Sequence, residues 1–108
     1  MKTLQENDIL VCSGGYECTR VTFFKVTKVI NGFAVVKTLK SNRVSFEPFA
    51  GTNGSGEVVP TDEFTLEDTI RRKIRYNHFS GDAYIRIAEY ESAYLWNGKP
   101  QFFDFRNI

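Results

Sequence analysis

Few side chains in this 108-residue chain have the chemistry for covalent catalysis. The one histidine, His78, stands near Ser80 and Asp82, the residue types of a nucleophile relay. Side chains two apart on a turn seldom converge, however, and a stretch of this composition reads as a solvated loop. The two cysteines, Cys12 and Cys18, read as free thiols, because closing so short a loop is an uncommon use of a disulfide in a cytosolic chain. A structural metal would need two further ligands, and only His78 and scattered carboxylates are on offer. Gly14-Gly15 lacks the Lys-Ser/Thr of a phosphate-binding loop, and no helical pattern follows it. The expectation is a protein without catalytic residues, cofactor or metal.

Binding chemistry is better represented. Arg20, Lys25, Lys28, Lys37, Lys40 and Arg43 fall in an acid-free stretch, and Arg71, Arg72, Lys73 and Arg75 in a second one. Ten of the fourteen basic residues lie in these two stretches, so a formal net charge of +1 conceals segregation along the chain. Between them, residues 57 to 68 hold Glu57, Asp62, Glu63, Glu67 and Asp68 and no base. Folded against each other the segments would cancel; held apart they would leave a basic face for phosphates or an acidic partner. On an extended strand Arg71, Lys73 and Arg75 share one side, with Arg72 and Ile74 on the other. Tyr76 and Tyr84 flank that strand as candidate anchors, which makes Arg71, Lys73, Arg75, Tyr76 and Tyr84 the expected binding residues.

The elements that must position these groups read as strands. Thr19 to Ile30 is dense in β-branched and aromatic residues, Asn31-Gly32 supplies a type I′ turn, and Phe33 to Leu39 follows, which predicts a hairpin. A two-residue loop there gives a core face of Phe24, Val26, Ile30, Phe33, Val35 and Leu39. Asp8 to Cys12 reads as a first strand, Asn42 to Phe46 as a strand with Val44 and Phe46 inward, and Glu57 to Pro60 as another. Residues 51 to 56, Gly-Thr-Asn-Gly-Ser-Gly, read as a flexible loop. Thr61 to Asp68 suits one or two helical turns, each Thr standing ahead of acids. Thr69 to Tyr76 and Ala83 to Trp96 each read as a strand, and Asn97-Gly98 as a second tight turn pairing the strands on either side of it.

Hydrophobic residues at 42% and charged residues at 25% exclude a disordered, collagen-like or coiled-coil chain, and the length suits a single domain over residues 1–108. The first residues carry acids and amides where a signal peptide would be apolar, and no later run reaches the length of a membrane span, so a cytoplasmic protein with no membrane partner is expected. The predicted fold is mostly β: a small SH3-like barrel of five to seven strands, or a curled antiparallel sheet, with at most one short helix.

Several short motifs follow one another along the chain: Asp8-Ile9-Leu10, Gly15-Tyr16-Glu17-Cys18-Thr19-Arg20-Val21, Phe23-Phe24-Lys25-Val26, Val58-Val59-Pro60, Ile70-Arg71-Arg72-Lys73, and Ala93-Tyr94-Leu95-Trp96-Asn97-Gly98-Lys99-Pro100. In this order they resemble a family of short uncharacterised proteins of bacteriophages and other bacterial mobile elements, over most of the chain. The resemblance implies a phage-type origin and carries no catalytic residues. It favours a non-catalytic accessory protein that binds and modulates a host protein in the infected cell's cytoplasm, in takeover or counter-defence. The alternative is a nucleic-acid-binding small β-barrel that uses the basic strand 71–75.

Overall fold

The computed structural model describes residues 3–14, 20–47, 55–88 and 91–104. These form nine strands: β1 (Ile9–Gly14), β2 (Arg20–Ile30), β3 (Phe33–Glu47), β4 (Ser55–Phe64), β5 (Ile70–Lys73), β6 (Arg75–Tyr76), β7 (Ala83–Ala88), β8 (Glu91–Leu95) and β9 (Gln101–Asp104). All pairs are antiparallel, in the order β6-β7-β8-β1-β2-β3-β4-β9, with β5 on β3. No helix occurs among the described residues, and no helix is long and apolar enough to cross a membrane. The turns expected over Thr61 to Asp68 are absent as helix: β4 runs through Phe64, and the Thr65 hydroxyl closes a local turn by accepting from the Glu67 amide.

The predicted hairpin is present, with Asn31 and Gly32 at φ of 49° and 81°, as a type I′ turn requires. Its register is as expected near the turn, Ile30 opposite Phe33 and Lys28 opposite Val35. A bulge at Thr27, whose hydroxyl donates to the Val35 carbonyl at 3.1 Å, then sets Val26 opposite Val36 and Phe23 opposite Leu39. One inserted residue exchanges the faces of a strand. Ile30 is therefore exposed, Phe33 and Val35 are only half-buried, and Phe23 is completely buried. The expected core face holds for Phe24, Val26 and Leu39, although Leu39 lies on the face opposite to the other two.

Two apolar clusters result. The first joins Leu10, Phe24, Val26, Val36 and Ile85 with the small Ala34, Ala83 and Ala93, and Leu4 from the segment ahead of β1 packs into it. The second cluster, Phe23, Leu39, Val58 and Phe103, covers the other face, with Trp96 edge-on to Phe23 at 5.9 Å between centroids. The sheet curls without closing into a barrel. β5 pairs with β3, β6 pairs with β7, and the buried Ile74 between them ends the connection, so no ladder joins β5 to β7.

Asn97-Gly98 does not form the second hairpin expected from its sequence. Tyr94 of β8 already pairs with Val11 on one side and Tyr84 on the other, which leaves β8 no free edge, and β9 pairs with β4 instead. The connection is held by its own bonds, from the Trp96 indole to the Lys99 carbonyl at 2.7 Å and from the Lys99 amide to Asn97 Oδ1 at 2.9 Å. Val44, expected inward, is exposed at the bulge between Arg43 and Ser45. Residues 51–54 of the glycine-rich stretch lie outside the described residues, while Ser55 and Gly56 open β4.

Candidate binding site

The basic stretch folds as a strand that changes partners at Ile74. Arg71, Arg72 and Lys73 sit opposite Val35, Ala34 and Phe33 of β3, whereas Arg75 and Tyr76 sit opposite Tyr84 and Ala83 of β7. The residue responsible is apolar: Ile74 is buried in the first cluster, and its amide donates to the Gly32 carbonyl at 2.8 Å. Where β5 parts from β7 a cleft of about 230 Å³ opens, lined by Arg72, Lys73, Arg75, Arg86, Ile87 and Ala88. Among the described residues, four cations and no acid line it.

Three of the expected binding residues need relocation within this picture. Lys73 and Arg75 line the cleft, but Arg71 lies over the Phe33 ring at 4.5 Å, outside it. Tyr84 is half-buried and stacked on Tyr94 at 5.0 Å. Tyr76 is 46% exposed and shares a hydrogen bond with the Thr3 hydroxyl at 2.9 Å. Alternation along the strand put Arg72 away from Lys73, and the register does place them on opposite faces. The cleft lies at the edge of the strand, where side chains of both faces reach it, so Arg72 belongs to the site. Arg86, Ile87 and Ala88 carried no signal in the sequence, since only the folding of β7 beside β5 brings them there.

The cations are not neutralised by residues 57–68. None of Arg71, Arg72, Lys73, Arg75 and Arg86 forms an ion pair with a described residue. From the acidic stretch, Glu63 pairs with Lys40 at 3.6 Å, on the far part of β3, and both side chains are well exposed. A pair so exposed contributes little to stability and orders neither segment.

Between β6 and β7, the loop from Asn77 to Asp82 is braced. Asn77 Oδ1 accepts from the amides of Phe79 at 2.8 Å and Ser80 at 3.0 Å, its Nδ2 donates to the Tyr94 hydroxyl at 3.3 Å, and the Gly81 amide donates to its carbonyl at 2.9 Å. This frame holds Phe79 out at 96% exposure. His78 stands edge-on to Phe79 at 5.6 Å, and Ser80 Oγ accepts from the Asp82 amide. The three residue types of a relay are thus turned to separate neighbours.

Cys12 is a free, buried thiol. Burial, and secondarily the nearby Glu91 carboxylate, push its pKa up from 9.0 to about 11, so the thiolate that would act as a nucleophile is scarce near neutral pH. Cys18 lies outside the described residues. Among the described residues no group of three His, Cys, Asp or Glu side chains is placed to hold a metal ion. The chain matches no known family model, no curated protein and no solved structure, and its functional reading rests on the geometry of this site.

Proposed function

We propose that the protein is a non-catalytic binding module whose basic cleft docks on an acidic surface of a protein partner. The observation that carries this is the group of four cations lining one cleft, none of them ion-paired with a described residue. Leaving like charges together and unpaired disfavours the free protein, and a complementary partner removes that cost. Arginine, which supplies three of the four cations, is also among the residue types that most often anchor interfaces.

The charge pattern favours a local acidic patch over an extended polyanion. Glu67 and Asp68 lie just ahead of β5, and Asp68 is four residues from Arg72, the first cation of the cleft, about 13 Å along an extended chain. A nucleic-acid strand running past the cleft toward that end of β5 would itself come within about a Debye length of these two carboxylates and meet repulsion. The motif resemblance to small phage proteins makes a host factor in the infected bacterial cytoplasm the partner of this reading. Nucleic acid is the second reading, favoured by the stacked Tyr84–Tyr94 pair next to Arg75. Affinity capture from bacterial lysate with and without nuclease separates them. A stoichiometric protein retained after nuclease supports docking on a protein; recovery that nuclease abolishes supports nucleic acid.

A further inference from the structure

The cleft between β5 and β7 is also an interruption in a ladder. The Ile74 amide donates to the Gly32 carbonyl at 2.8 Å, and backbone groups alternate along a strand, so Ile70 and Arg72 turn theirs to β3 while Arg71 and Lys73 turn theirs away from it. On β7, the Asp82 carbonyl ahead of the strand accepts from the Asn77 amide at 2.8 Å, and the same alternation turns the groups of Tyr84 and Arg86 to the β6 side. Tyr84 meets Arg75 there. The next pair in that register would be Lys73 with Arg86, and it does not form, because β5 has left β7 for β3. The N–H and C=O of Lys73 and of Arg86, with the N–H of Arg71, therefore face the opening, and among the described residues no strand stands opposite them. The Arg71 carbonyl is taken by Arg72 Nη1 at 2.9 Å.

We infer, resting on the docking function proposed above, that the opening takes an extended acidic segment of the protein partner, seated as an added strand along Lys73 and Arg86. Edge groups of this kind bond an incoming strand through its main chain, whatever its side chains. The side chains around the opening set its charge: Arg72, Lys73, Arg75 and Arg86 suit carboxylates at alternate positions of the incoming segment. The chain's own strands cannot take the place, since closing β5 onto β7 would strip its ladder from β3 and draw Ile74 from the core. A second copy of this chain would bring the same four cations to the edge and be repelled.

Amide NMR titration of the whole chain with a capped hexapeptide of alternating Glu and Val, and with its fully N-methylated form, tests this. The N-methylated peptide keeps the charges and loses the amide donors. The unmodified peptide should give saturable shifts at the cleft and slow amide exchange at Lys73 and Arg86 by about tenfold or more, and N-methylation should weaken binding by at least about tenfold. Lys73→Pro, which removes an amide that β3 does not use, should bind the peptide about fivefold more weakly than Lys73→Ala, which loses only the charge. Should Lys73→Pro fail to fold, the pair of peptides decides. Equal binding of the two peptides, or unchanged exchange at Lys73 and Arg86 in the saturated complex, would overturn strand addition and leave docking through the cationic side chains standing. No saturable shift with either peptide up to millimolar concentration would overturn it as well, while the docking function itself is read separately, from lysate capture.

Discussion

The bulge at Thr27 decides which aromatic ring supports the fold, and one pair of substitutions measures it. Phe23 is 0% exposed and packs with Leu39, Val58 and Phe103 and edge-on against Trp96, whereas Ile30, before the turn, is 42% exposed. Truncating Phe23 to Ala removes a fully buried ring, leaves a cavity in the cluster of Leu39, Val58 and Phe103 and deletes an aromatic pair, a cost of about 3 to 5 kcal/mol. Truncating Ile30, already nearly half in water, costs about 1 kcal/mol or less. Without the bulge the order would reverse, because Ile30 would then face the core with Phe24 and Val26. Urea unfolding followed by circular dichroism reads both values without relying on Trp96, whose surroundings change when Phe23 is lost. A Phe23→Ala variant no less stable than Ile30→Ala would refute the bulged register and the two-cluster packing built on it.

Other outcomes follow from single contacts. Gly32→Ala should destabilise by about 1 kcal/mol through backbone strain alone, since φ is +81° and an added Cβ meets nothing within 4 Å; thermal melting checks this, and a much larger loss would point to a packing clash instead. Asn77→Ala removes the acceptor of the Phe79 and Ser80 amides and a bond to Tyr94, and should speed hydrogen exchange at both amides while costing about 1 to 2 kcal/mol; unchanged exchange would show that the loop does not depend on this brace. Because folding raises the Cys12 pKa to about 11, its contribution to stability is intact below pH 9 and is lost as pH rises through about 11. Cys12→Ala should therefore flatten the fall in stability between those values, and native Cys12 should alkylate slowly near neutral pH but readily in denaturant.

Local chemistry was legible wherever a few neighbouring residues dictate the backbone. Asn31-Gly32 specified its turn, and the β-branched and aromatic run before it specified β2. What sequence reasoning missed depends on partners distant in the chain. Thr27 looks like any strand threonine until its hydroxyl meets the Val35 carbonyl, and from that residue back the register is displaced by one. Asn97-Gly98 has the composition of a hairpin turn, but β8 spends both edges on β1 and β7, a fact of topology that no dipeptide encodes. The candidate site shows the same division. Lys73 and Arg75 stood out as part of a charge cluster, whereas Arg86 is a lone cation in sequence and joins them only because β7 lies beside β5. The separation of Glu57 to Asp68 from these cations likewise became visible only with the long β3 in place, which carries Lys40 to Glu63.

The central claim, that the unpaired cations of the β5–β7 cleft form the docking surface, is tested most directly by charge reversal in a capture experiment. Lys73→Glu with Arg86→Glu reverses two of the four cations at exposed positions and should leave the melting temperature nearly unchanged. Nuclease-treated lysate passed over the tagged parent, over this double variant and over Lys28→Glu, an exposed cation elsewhere on the sheet, should give one stoichiometric protein from the parent and from Lys28→Glu, with recovery from the double variant lowered by about tenfold or more. Equal recovery from the double variant and the parent would contradict the claim and remove the cleft from the account of function.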